Sequence, residues 1–291
     1  MILQNLIILK QYMYKGYVLN KKRLEVLNKV VEIQNKMLAT TLDIDIIELQ
    51  EVINKQNNDI VNVTYKRGNK TYQEEIKLYK EDNEYKTGLY VRDMIRGVAT
   101  LTYIDAENKS FGALGHEIIE KTTKSKFDST SGTIFSSTVT SITKSNNGDP
   151  GEKNARSDSS NIYGKVDENT ESGIFGTYTK SLPNSKLYKV ASPNEIKQGS
   201  AKILTVIEGN TVEEFDINIL RINENSNSKN ILFEVTDERL LEKTGGIIQG
   251  MSGSPIIQNN KIIGAVTNVV ISDVSLGYAI SIITMLEEGE N

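Results

Sequence analysis

Gly250-Met251-Ser252-Gly253-Ser254-Pro255 is the stretch against which the rest of the chain is read. Glycine accepts left-handed backbone and lets another segment come close, and proline fixes the exit from a turn. A serine between two such glycines suits a strained, exposed turn that can present its hydroxyl to a substrate. The plainer alternative is an ordinary Gly/Ser turn between strands, so the surroundings have to decide.

Those surroundings are rich in short alternating segments. Strands are expected at Gly97–Ile104, Phe111–His116, Thr133–Thr143, Gly173–Tyr178, Ala201–Ile207, Glu214–Ile222, Ile231–Val235, Pro255–Gln258, Ile262–Val270 and Gly277–Ile282. Glycine and asparagine turns separate them, and little helix is expected, so the region reads as a mainly β sandwich or pair of barrels. The Ser/Thr/Asn-rich run 121–161 includes a turn cluster at Asn146-Asn147-Gly148-Asp149-Pro150-Gly151 that reads as an exposed, solvated loop.

Upstream the pattern changes. The apolar start Met1–Leu9 is broken by Gln4 and Asn5, too short to span a bilayer and too poor in charge for a signal peptide. Leu24, Leu27, Val31 and Leu38 give residues 20–40 an amphipathic helix, within a helical segment 1–44. A second helix is expected over Asp45–Asn54. Two strands follow, Ile60–Tyr65 and Thr71–Leu78, around the turn Lys66-Arg67-Gly68-Asn69-Lys70. This helix and hairpin, residues 45–79, resemble the closing half of a PDZ domain. The opening half has no counterpart in 1–44, and peptide capture needs both halves of the groove. The charged stretch 80–87 reads as a linker to the domain 88–291.

Composition narrows the chemistry. The 291 residues suffice for about two domains. With 34 basic and 38 acidic side chains the net charge is −4, which argues against nucleic acid as a partner. There is no cysteine, so disulfides, thiolate catalysis and zinc–thiolate sites are excluded; one histidine excludes a multi-histidine metal site. Neither a metal nor a cofactor is expected.

A serine hydroxyl needs a positioned base, and His116 is the one imidazole available. A third group, a carboxylate, orients such a base; Asp105, Asp128, Asp149, Asp158, Asp167, Asp216 and Asp237 all follow the linker. Asp237, just past a strand and fifteen positions before Ser252, is modestly preferred.

Four segments in order, Gly88–Asp93, Phe111–His116, Asp149–Lys153 and Thr244–Pro255, resemble the SpoIVB peptidases, the sporulation serine peptidases of the trypsin-like clan. The likeness runs over about 85–286. It implies a chymotrypsin-like double β-barrel with His116 as base, Asp237 as its orienting carboxylate and Ser252 as nucleophile. It also implies an oxyanion hole from the N–H groups of Gly250 and Ser252, and a specificity pocket near Gly246 and Asn268, the latter a histidine in relatives. Met251 stands where trypsin-like enzymes carry the aspartate that pairs with a newly cut N-terminus, so that activation is not expected.

The resemblance further implies a protein substrate in sporulation signalling, membrane-associated or the chain itself, and export to the space between mother-cell and forespore membranes. Relatives begin with a membrane or signal segment and a whole PDZ domain, so this chain reads as a shortened member, a gene fragment or a chain with a mis-set start. A non-catalytic peptide-binding scaffold on the same fold is the rival reading. An α/β-hydrolase esterase fits poorly, because the serine comes last and the βα rhythm is missing.

Overall fold

The computed structural model describes residues 53–55, 59–67, 70–87, 97–119, 132–184, 186–223, 226 and 228–290. The expected helix at 20–40, most of that at 45–54, and the segment Gly88–Asp93 lie outside them. The described residues fall into two compact units, 53–87 in one and 97–119 with 132–290 in the other.

In the smaller unit, β1 (Ile60–Arg67) pairs antiparallel with β2 (Lys70–Lys77), as the alternation predicts. Val61, Val63, Ile76 and Leu78 are buried with Ile53. The charged stretch expected as a linker carries a second hairpin, β3 (Tyr79–Glu81) with β4 (Glu84–Lys86). Asp82 and Asn83 turn it with φ of 51° and 68°, left-handed values that short polar side chains tolerate. These hairpins alone do not make a PDZ-like module.

The larger unit is mainly β, and a closed barrel and a half-barrel stand where the resemblance implies two barrels. The half-barrel has strand order β5-β6-β9-β8-β7, all antiparallel. Its members are β5 (Leu101–Ile104), β6 (Ser110–Ala113), β7 (Gly132–Thr143), β8 (Glu152–Thr170) and β9 (Gly173–Tyr178). The second sheet comprises β10 (Lys189–Val190), β11 (Gly199–Thr205), β12 (Glu213–Ile222), β13 (Ile231–Val235), β14 (Pro255–Gln258), β15 (Lys261–Val269) and β16 (Leu276–Ser281). Pairings β11–β12–β13–β16–β15–β14–β11 close six of these into a ring, with β10 added parallel to β15. Closure removes free sheet edges and encloses Phe215, Ile217, Ile219, Phe233 and Ile256, the inward residues of alternating strands. Tyr103, Phe175, Leu204, Ile257 and Ala265 form a further buried cluster with Ile282 and Met285 of the C-terminal helix.

Three expectations are corrected. The polar run 121–161 holds more strand than expected: besides all of β7, expected as Thr133–Thr143, it contains the start of β8, a 19-residue strand that pairs with β7 and β9 and was not expected. The turn cluster stays a turn, with Asn146 and Asp149 exchanging main-chain hydrogen bonds. The strand at 111–116 stops at Ala113, because Leu114 and Gly115 both take φ of 70° and turn His116 out of the sheet. Two helices were also not expected, α1 (Glu238–Thr244) and α2 (Ile282–Gly289), capped by the side chains of Asp237 and Ser281.

Candidate active site

Ser252 sits on the turn that leads into β14, and glycine is required on its far side. Gly253 has φ of 90°, and a Cβ there would lie 2.1 Å from Thr100 O and 2.6 Å from Leu114 N. That close approach seats the serine turn directly on the turn carrying His116. The main chain ties the same segments: Thr100 N–H donates to Ser252 O (2.9 Å), Leu114 N–H to Thr100 O (3.3 Å) and Gly253 N–H to Val266 O (2.7 Å). Ser252 Oγ donates to Thr267 O (2.9 Å). Thr267 is also the neighbour of the His116 turn, its Cγ2 lying 3.0 Å from where a Gly115 side chain would begin.

His116 and Ser252 are both half-buried. The imidazole Nδ1 is 2.8 Å from Glu117 O. A carbonyl can only accept, so Nδ1 carries the hydrogen and the Nε2 lone pair is left to accept a proton. Burial pushes the His116 pKa down, against the smaller opposing effects of the Glu117 carbonyl and carboxylate, which favours this neutral form. The imidazole and the serine hydroxyl are not hydrogen-bonded to each other here; the hydroxyl must leave Thr267 O to meet Nε2.

The backbone around Ser252 offers donors. Met251 N–H is used by Ile248 O (3.1 Å), while the N–H groups of Gly250 and Ser252 have no acceptor among the described residues. Gly250 has φ of 93°, a value only glycine adopts readily. Met251 itself is fully buried in the barrel core, so the place of an ion-pairing aspartate is filled with hydrocarbon.

Asp237 is elsewhere employed. Its carboxylate accepts from the N–H of Arg239 (3.0 Å) and Leu240 (3.4 Å) as the cap of α1, from Asp216 N–H (3.2 Å), and from Arg239 Nε (3.2 Å) and Nη2 (2.9 Å). Burial alone would raise its pKa, but these hydrogen bonds, Arg239 foremost, bring it below the ordinary carboxylate value. None of its partners belongs to the His116 or Ser252 turns. Of the two pocket residues, Gly246 is buried, with Val274 O only 2.2 Å from where its Cβ would stand. Asn268 is exposed on β15, opposite Tyr278 of β16.

Sequence reasoning missed Lys153, whose amine is buried behind Gly250. The Asp149–Lys153 motif was visible, but a lysine in a polar run signals solvent, and nothing in its spacing shows otherwise.

A family model described as SpoIVB peptidase S55 matches residues 83–286. No curated protein matches the sequence. Among solved structures, the chain is similar to the active form of the Rv3671c protease from M. tuberculosis at 14% identity. That likeness covers 67% of this chain and 72% of that one, with a TM-score of 0.35. Human heparin binding protein is similar at 9% identity over 65% of this chain and 78% of that one, with a TM-score of 0.32. At these scores neither neighbour bears on the chemistry of this chain.

Proposed function

We propose that this chain, which belongs to the SpoIVB peptidase family, cuts a specific protein substrate in sporulation signalling with Ser252 as nucleophile and His116 as base. It is a serine endopeptidase; the residue roles and the biological setting are what the proposal adds. In the first step Ser252 Oγ bonds to the scissile carbonyl carbon as its proton passes to His116 Nε2. The carbonyl oxygen, now an anion, is held by the N–H groups of Gly250 and Ser252. Collapse breaks the C–N bond, and His116 returns the proton to the departing amine. Water then enters by the same route in reverse, giving up a proton to His116 and releasing the acid from Ser252.

The observation that carries the proposal is the pair of unused N–H groups, Gly250 and Ser252, on a serine turn seated against the histidine turn. The Glu117 carbonyl supports it by setting the His116 tautomer that a base requires. Export to the space between the two sporulation membranes follows from the family and belongs to the proposal as well.

Asp237 enters on the resemblance. As orienting carboxylate it would have to leave Arg239 and take the Nδ1–H that now goes to Glu117 O. Asp237→Asn tests this, since asparagine caps a helix about as well as aspartate. A fall in kcat of about 10⁴-fold would assign Asp237 the orienting role, and unchanged kcat would leave it as a cap.

The proposal as a whole is tested with a fluorophosphonate, which bonds to an activated serine. The wild-type chain should be labelled, Ser252→Ala should not, and His116→Ala should be labelled several powers of ten more slowly. A folded wild type that takes no label returns the scaffold reading.

A further inference from the structure

Behind the oxyanion turn lies a titratable group with no part in the chemistry above. Lys153, on β8, is 5% exposed. Its Nζ donates to Thr205 Oγ1 on β11 (2.8 Å), and this is its one side-chain hydrogen bond among the described residues. Thr205 Oγ1 also accepts from Ser254 Oγ (3.1 Å), which is 3.3 Å from Thr100 Oγ1. Thr100 Oγ1 in turn donates to Gly250 O (3.1 Å). Thr100, Thr205 and Ser254 are all buried, so water does not compete along this line of hydroxyls. Ser254 gives its hydrogen to Thr205 and Thr100 gives its own to Gly250 O, so the two bonded pairs meet at Ser254 and Thr100 as a close contact of hydroxyls beside the residue whose N–H should bind the oxyanion.

The lysine also holds that residue from the other side. A Cβ on Gly250 would lie 3.1 Å from Lys153 Cβ and 3.2 Å from its Cδ, so the aliphatic stem forms the wall behind the glycine. Lys153 N–H donates to Gln249 O (2.9 Å), and Gln249 N–H donates to Gly151 O (2.8 Å). In a trans peptide the C=O and the following N–H point in opposite directions. Drawing Gln249 O toward β8 therefore turns Gly250 N–H away from β8. The Asp149–Lys153 motif thus ends as a brace for the Gln249–Gly250 peptide.

We propose that Lys153 is a positioning residue of the oxyanion hole, its amine holding the buried Thr205 and Ser254 hydroxyls in place beside the serine turn and its stem backing Gly250 for the transition state. No carboxylate pairs with it among the described residues, and a buried ammonium would leave two of its three N–H donors unmatched. Burial brings its pKa down to about 7. Methionine would fill the same space without that cost, so packing alone does not explain an amine at this position. The inference rests on the peptidase reading above.

The test compares wild type with Lys153→Met, which keeps the stem and removes the amine, and with Thr205→Val, which keeps the amine and removes its hydrogen-bond partner. Both are treated with a fluorophosphonate, whose P=O occupies the oxyanion hole as Ser252 bonds to phosphorus. The maximal labelling rate of the folded fraction should fall about 10- to 100-fold in each variant, with half-saturating probe concentration held; Tm should rise in Lys153→Met and fall in Thr205→Val, which strips the buried amine of its partner. A residue with a merely structural role would leave the labelling rate of the folded fraction intact. Wild-type rates in both variants overturn the inference and leave the peptidase reading standing. A wild-type chain that takes no label overturns the peptidase reading, and this inference with it.

Discussion

Asp237 and Lys153 are both charged side chains taken out of water, 9% and 5% exposed, and the fold treats them in opposite ways. Asp237 is surrounded by donors: the first turn of α1, Asp216 N–H and the Arg239 guanidinium. Every acceptor site of importance is filled, and the residue joins β13 to α1. Among the described residues Lys153 has one neutral hydroxyl for a partner and no counter-charge. A satisfied buried charge is explained by the structure it holds together; an unsatisfied one has to be explained by something else. The contrast reverses the order of interest set by the sequence, where Asp237 stood among the candidate catalytic groups and Lys153 was one letter in a motif.

The largest expected effect tests the Lys153 side of the contrast through stability. The amine titrates at about 10.5 when unfolded and at about 7 in the fold. Below pH 7 both forms are protonated and the fold bears the full cost of a buried ammonium. Between pH 7 and 10.5 the unfolded chain holds a proton that the folded chain lacks, so stability rises with pH across that window. Lys153→Met should therefore be more stable than wild type by about 2–4 kcal/mol at pH 7, the gap closing toward pH 10.5. Urea unfolding at pH 7, 8.5 and 10 measures it; a variant less stable at pH 7 would mean that the amine is worth more to the fold than it costs.

Asp237→Ala should move stability the other way, losing about 1–2 kcal/mol with the cap of α1. Because the folded pKa of Asp237 is depressed, its contribution is present above the ordinary carboxylate pKa and fades as pH falls through the lower, folded value. A pH-independent loss would point to packing in place of charge. The smallest effect belongs to an exposed pair: Lys243 donates to Glu208 at 3.0 Å with both side chains largely in water. Lys243→Met should change stability by less than about 0.5 kcal/mol. A thermal melt showing as much gain at 243 as at 153 would break the distinction between buried and solvated lysine.

Much of the barrel was legible because its strands alternate: Phe215, Ile217 and Ile219 read inward in sequence and are inward in the fold. The serine turn was legible because glycine and proline mark it. β8 was not, since its stretch Asp158-Ser159-Ser160-Asn161 is polar on both faces and the strand is held by pairing to β7 on either side of that stretch, with apolar burial only at positions such as Val166. The start of α1 was misread for a related reason. Asp237 followed by Glu238 is a helix-start signature, but a carboxylate just past a strand suits a catalytic group and a cap equally, and only the fold shows it capping α1. The His116 tautomer depends on a main-chain carbonyl, which no side-chain pattern records.

The length of β8 carries one further consequence. Nineteen residues extend about 60 Å, reaching from pairing with β9 at the far end to the Gln249 peptide at the near one. Sliding such a strand by two residues keeps its faces and its ladder, yet carries Lys153 about 7 Å from Gly250. Irregularities at Ile134/Phe135, Phe135/Ser136 and Val139/Ser141 resist that slip by admitting one alignment of β7 and β8. Proofreading of this alignment during folding would then separate a competent molecule from one of the same shape whose serine stays silent.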